Sequence, residues 1–158
     1  MNNYEKPIFD RSLSDVEKLQ NFLSRGYKNL TNAEQTQWLN ENFKGALNIS
    51  DLNRIEQNMV VLANLLELTI TSKTWAETDI PTNTDFARIR NNLLSIRNKA
   101  ETQNMIYEST PQVPDLPFNH YQKINDIEKI ISDVYSLFTI RFYYCDSELY
   151  CGETIGIN

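Results

Sequence analysis

The feature that most constrains this chain is a helical motif that occurs three times. Asn48-Ile-Ser-Asp51 and Thr82-Asn-Thr-Asp85 each set an oxygen-bearing residue three positions ahead of a carboxylate. That spacing satisfies free amides at a helix start and complements its positive end. After the first start come Leu52, Ile55, Met59, Leu62 and Leu65 or Leu66; after the second come Phe86, Ile89, Leu93, Ile96 and Ala100. Both series have the 3-4-3 spacing of a single apolar stripe. A shift of 34 pairs Asp51 with Asp85, Arg54 with Arg88, Asn58 with Asn92 and Asn64 with Asn98, which is more than periodicity alone would give.

A third copy follows after a further shift of 38, where Ile124-Asn-Asp-Ile-Glu128 answers Leu52-Asn-Arg-Ile-Glu56 and the stripe continues through Ile131, Val134, Leu137 and Phe138. Asp79-Ile-Pro81 and Asp115-Leu-Pro117 give the second and third copies an extended approach, since proline disfavours helix in the residue before it. Helices with one apolar stripe must bury it against each other. The expected body is a bundle of long helices at about 48–70, 82–105 and 119–138, in up-and-down order, with a short solenoid as the alternative.

Residues 12–42 read as two short helices that cover an open side. Ser14 with Glu17 and Thr31 with Glu34 have capping-box spacing, and Gly26 separates them. Val16, Leu19, Phe22 and Leu23 form the apolar face of the first; Trp38 and Leu39 form a smaller one on the second. After Phe138 the chain turns aromatic and β-branched around a polar Asp146-Ser147, the pattern of a β-hairpin. The fold expected is therefore mainly α: a helical bundle over 1–138 with a C-terminal β-hairpin, residues 139–158, as an assembly segment. Such a hairpin would expose Phe142, Tyr143, Tyr144, Leu149 and Tyr150 unless the bundle or a partner covers them.

A length of 158 residues suits one domain, and a chain of this size buries about 70% of the surface of its unfolded form. The net charge of −6, with no clustering of Lys and Arg, argues against a nucleic-acid partner. No apolar run approaches the ~20 residues that cross a bilayer, and the polar start lacks signal-peptide character, so a protein made in the cytoplasm without membrane insertion is expected. Cys145 and Cys151 are expected as reduced thiols.

Chemistry is hard to find. One histidine, His120, cannot build a histidine triad or a multi-histidine metal site within one chain, and Cys145-x5-Cys151 lacks the further soft ligands zinc needs. No P-loop, GxGxxG or GxSxG pattern occurs. Asp126 with Glu128, and Asp115 with Asp133, read as solvated helix charges rather than an acid and base. The repeated Asp-x-x-Arg is local helix support. Asn58 and Asn92, at the edges of their stripes, are the candidate helix-register residues, bridging helices or fixing a subunit register. No enzyme, catalytic residue, cofactor or metal is expected.

Several segments carry a resemblance. Lys44 to Glu56, Trp75 to Asp85, Asn119 to Glu128, the opening Phe9-Asp-Arg-Ser12 with Asp15-Val16, and the closing Leu149-Tyr-Cys-Gly-Glu-Thr-Ile-Gly156 together resemble small tail-associated structural proteins of bacteriophages and prophages of Gram-positive bacteria. The resemblance spans nearly the whole chain. It implies a non-enzymatic virion component of the tail, baseplate or fibre-attachment region, made in the host cytoplasm, working as a homo-oligomer among other virion proteins. A neck or connector component is an alternative. So is a host-surface glycan-binding module with Trp38 or Trp75 stacking on sugars. A host-directed regulator or small enzyme has no residue support.

Overall fold

The stripes of the three related helices meet in one core, but the helices do not alternate in direction. The structure, a computed structural model, describes residues 3–40 and 43–145, with side chains as far as Arg141. Helices α1 (Leu13–Arg25) and α2 (Asn32–Leu39) are followed by the long helices α3 (Ile49–Leu65), α4 (Asn83–Thr102) and α5 (Tyr121–Cys145). Leu52, Ile55, Met59 and Leu62 of α3, Ile89, Leu93 and Ile96 of α4, and Ile127, Ile131 and Val134 of α5 are all buried in a single cluster.

The long helices are parallel. Arg88, in the second turn of α4, reaches Glu56, near the middle of α3; Arg54, in the second turn of α3, reaches Glu128, in the first third of α5. At the other end, Arg141 of α5 donates to the carbonyl of Gln103, just past α4. The expected up-and-down order is thereby corrected, and the reason is the length of the connections. Segments 66–82 and 103–120 are long enough to run back along the whole bundle, so each new helix restarts at the same end. Helical periodicity carries no information about direction.

Both returns begin with the same reversal. The amide of Leu68 donates to Ala63 and that of Glu67 to Asn64; the amide of Met105 donates to Ala100 and that of Asn104 to Glu101. Glu67 and Asn104 take left-handed φ values of 56° and 54°, which makes each a Schellman end with an apolar residue turned back onto the helix. These ends stop α3 at Leu65 and α4 at Thr102, short of the expected 70 and 105.

The helix starts are built as capping boxes. Thr82 and Asp85 exchange bonds at α4, Thr31 and Glu34 at α2, and the Asn48 amide donates to Asp51 at α3. At α1 the box is Ser12 with Asp15, two residues earlier than the expected Ser14 with Glu17. Arg11 decides this: its backbone is fixed on α5 by Asn125, so the helix has to begin at the next residue. The short helices form a small lobe around Phe22 and Leu30, with Trp38 set edge-on to Tyr27 and Phe43. Leu23 and Leu39, expected to pack, are exposed. Gly45 lets the 43–47 segment touch the start of α1, where an added Cβ would lie 2.2 Å from the Asp15 carbonyl oxygen.

The expected hairpin is also corrected in part. Residues 139–145, its proposed first strand, are the last turns of α5, and no strand occurs among the described residues. No glycine or proline interrupts the run between Pro117 and Gly152, and extending an existing helix costs far less than nucleating a new element. Residues 146–158, with the remainder of the proposed hairpin, lie outside the described residues.

Candidate functional site

Three grooves separate three parallel helices, and each holds a non-helical segment running back against the helix direction. Segment 66–82 lies between α3 and α4, segment 103–120 between α4 and α5, and residues 3–11, ahead of α1, between α5 and α3. The polar repeat residues hold these segments in place.

The asparagines act as backbone clamps. The Asn58 side chain accepts from the Glu5 amide and donates to the Glu5 carbonyl, both at 2.8 Å. Asn125 does the same for Arg11, at 3.2 and 2.8 Å. Asn53, which Asn125 matches in the repeat, does it for Trp75, at 2.8 and 3.0 Å. Asn92, the match of Asn58, donates to the Thr71 carbonyl at 2.7 Å. A side-chain amide presents one donor and one acceptor, which is what one residue of an extended segment needs. The candidate register residues Asn58 and Asn92 thus sit buried, with return-segment backbone rather than another long helix as their partner.

Arginines and carboxylates join the helices beneath the clamps. Arg88 makes a fork onto Glu56 at 2.6 and 2.9 Å, and Arg54 a fork onto Glu128 at 2.7 and 3.0 Å. Arg54 and Arg88 are repeat equivalents, and so are Glu56 and Glu128. One contact therefore relates α4 to α3 and α3 to α5, the mark of a rotational arrangement. The third step would pair Asp126 of α5 with Arg90 of α4, where the charges are exchanged. There, Arg90 turns to Asp115 and the Pro114 carbonyl, and Asp126 has no ion-pair partner among the described residues.

The α5–α3 groove is the most heavily charged. Arg11 enters from the 3–11 segment and meets Asp51 at 2.8 Å and Glu128 at 3.1 Å; it also donates to the Ile8 carbonyl. Glu128 takes the Ile8 amide at 2.7 Å as well. Asp51 caps α3 with one oxygen and holds Arg11 and Arg54 with the other. Two arginines and two carboxylates are enclosed, so the cluster is neutral. Burial opposes the charge on Arg54, but hydrogen bonds and the fields of Glu128 and Asp51 outweigh it and raise its pKa. Above this cluster Tyr4 stacks on Tyr135 at 3.6 Å, and burial raises its hydroxyl well above the usual tyrosine value.

This arrangement fastens segments together. His120 is exposed, stacks on Tyr121 and accepts the Gln122 amide. Asp133 accepts from Thr110 and Lys129, and Asp115 pairs with Arg90 at the surface. No cluster of metal-binding side chains occurs among the described residues, and none of their helices is long and apolar enough to cross a membrane. Two clefts open at the helix-start end. One, of about 480 Å³, is lined by Asn40, Asn48, Ser50, Asn53 and Glu77; the other, of about 430 Å³, by Leu13, Leu47, Phe118 and His120 among others. Trp75, the sugar-stacking candidate, is 3% exposed, with Lys73 over its ring; Trp38 is half-buried. Of the candidate partner residues, Phe142, Tyr143 and Tyr144 fall in the last turn of α5, and Leu149 and Tyr150 lie outside the described residues.

The sequence held the signal for the clamps, because Asn58 and Asn92 match under the 34-residue shift and Asn53 and Asn125 match across the first and third copies. It held none for Arg11, which stands outside the repeat. Comparison with protein-family models, curated proteins and solved structures gives no match for this chain.

Proposed function

We propose that this chain is a non-enzymatic structural protein of a bacteriophage virion, a tail, baseplate or fibre-attachment component that acts as an assembly module. The observation that supports the reading is the way the polar repeat residues are used. Asn53, Asn58, Asn92, Asn125, Arg54, Arg88, Glu56 and Glu128 all fasten one part of the chain to another. A body fastened in this way transmits force between attachment points, and its buried charges are occupied with holding it together. The resemblance to tail-associated proteins supplies the virion setting.

The attachment point we propose is the end of α5 with the residues after it. Arg141 stands level with the end of α4, so residues 142–145 continue the helix past its neighbour. A partner gripping that turn is joined to the core by one unbroken helix, with other virion proteins and further copies of the chain as the intended contacts. Deletion of residues 139–158 is expected to leave the helical circular dichroism and cooperative unfolding of the body while abolishing incorporation into particles. Normal incorporation of that truncated chain sinks the proposal. A second truncation after Cys145 separates the helical turn from the residues beyond it.

A further inference from the structure

We infer that Arg90 is a two-position latch on the α4–α5 groove: in the closed position it holds Asp115 of the inserted segment, and Asp126 of α5 is its reserve partner. The inference concerns the body of the chain and does not depend on the assembly reading.

The rotation that relates the long helices leads there. Arg88 meets Glu56 and Arg54 meets Glu128 through one pair of repeat positions. At those positions α4 and α5 carry Arg90 and Asp126, so both charges are exchanged and the pair stays opposite in sign. Both residues belong to the α4–α5 groove. Arg90 donates there to the Pro114 carbonyl at 3.2 Å and to Asp115 at 2.7 Å. Asp126 precedes Asp133 by about two helical turns, which sets the two on one face of α5, and Asp133 holds Thr110 of the same segment. Asp126 is half-buried, with no hydrogen bond or ion pair among the described residues, and burial holds its pKa above the usual carboxylate value.

The present partner is weakly bound. The Asp115 side chain is 87% exposed, and an ion pair so open to water contributes little. What keeps Arg90 there is the added bond to the Pro114 carbonyl. A pair with the half-buried Asp126 is screened less and supplies the charge that this carboxylate lacks. When Arg90 moves across, Arg97 still holds the Pro111 carbonyl and Lys123 the carbonyls of Asp115 and Pro117. The stretch between these anchors is then released, with the Asp115 carboxylate open to a cation from solution.

The test follows the titration of the Asp126 carboxyl carbon by NMR in the full chain. Asp115→Asn takes the charge from the closed partner, and the latch predicts that the Asp126 pKa falls by about 1–3 pH units, the usual effect of an adjacent guanidinium. With Arg90→Gln added, the Asp126 pKa is expected to stay at its wild-type value. That second variant separates Arg90 from Lys123 and Lys129, which stand one turn either side of Asp126 on α5. Both changes lie outside the apolar core cluster. An Asp126 pKa that Asp115→Asn leaves unmoved, or that falls equally with Arg90 replaced, overturns the inference.

Discussion

The α5–α3 groove and the α4–α5 groove are lined by copies of one helical motif, yet they hold their inserted segments by different chemistry. In the first, Asn58, Asn125 and the enclosed Arg11, Arg54, Asp51 and Glu128 grip backbone and charge out of water. In the second, the positions matching Asn58 and Asn53 are Ile130 and Ala87, and no asparagine clamp forms. Segment 103–120 is held instead by Arg97 on the Pro111 carbonyl, Arg90 on Pro114 and Asp115, and Thr110 on Asp133. Apolar contact completes it, through Met105, Val113 and the edge-on pair of Phe86 and Phe118. The difference shows that a repeated helix fixes where a segment can lie, while the residues flanking its stripe decide how firmly the segment is held.

The largest expected effect comes from removing a charge from the enclosed cluster. Glu128→Ala leaves Arg54 and Arg11 buried without their shared partner and should cost about 3–5 kcal/mol in urea unfolding, the usual loss when one side of a buried pair is deleted. The matching change in the other groove, Asp115→Ala, removes a carboxylate whose side chain is 87% exposed and should cost at most about 0.5 kcal/mol. Equal losses would erase the distinction between the grooves.

Next in size is the backbone clamp. Asn58→Leu deprives the Glu5 amide and carbonyl of their partner and should cost about 1–3 kcal/mol, with faster hydrogen exchange at Glu5 and Ile8. Asn92→Leu removes one bond, to Thr71, and should cost less. If both variants keep wild-type stability and oligomeric state, the asparagines do not hold the grooves.

Smaller again is the response to acid at the exposed helix starts. Hydrogen bonds from Thr82 lower the Asp85 pKa, and those from Arg25 and Thr31 lower that of Glu34 to about 2. A depressed carboxylate pKa favours the folded state above the unfolded pKa, and that contribution is lost as pH falls through the folded value. For Glu34 the window runs from 4.5 down to about 2. Amide exchange at Thr31 and Thr82 should therefore rise in acid before the Glu5 amide opens. Simultaneous opening of all three would show that the groove is no firmer than the caps.

The smallest effect expected is at Asp126, whose pKa is raised by burial. A raised carboxylate pKa works the other way: the folded state gains as pH falls through it. Asp126→Asn should lift Tm slightly at neutral pH and remove that gain in acid; a lower Tm would mean the carboxylate has a partner in solution.

The three apolar stripes and the Asn48, Thr31 and Thr82 starts were legible because each is a local pattern. The Asp-Arg-Asn matches marked the polar positions, but a single helix face cannot say what comes to meet it. Direction was hidden for the same reason. The ends of α3 and α4 were missed because the left-handed turn is made by Glu67 and Asn104 rather than glycine, the residue that would have announced it. Residues 139–145 illustrate the opposite error: aromatic and β-branched composition suggests a strand, but a helix already in progress overrides that weak preference. The start of α1 lies at Ser12 rather than the expected Ser14 because Asn125, more than a hundred residues away, fixes Arg11.

That distance has a consequence for the order of folding. The Ile8 amide meets Glu128, 120 positions along the chain, and Arg54 meets Glu128 at a separation of 74. Helical proteins rich in local contacts fold quickly, whereas contacts this far apart must wait for large loops to close. During synthesis, the first dozen residues leave the ribosome early and have no complete groove until α5 has followed them. Until then Arg54 lacks Glu128, the carboxylate it forks onto, and the groove that Arg11 enters has only its α3 side.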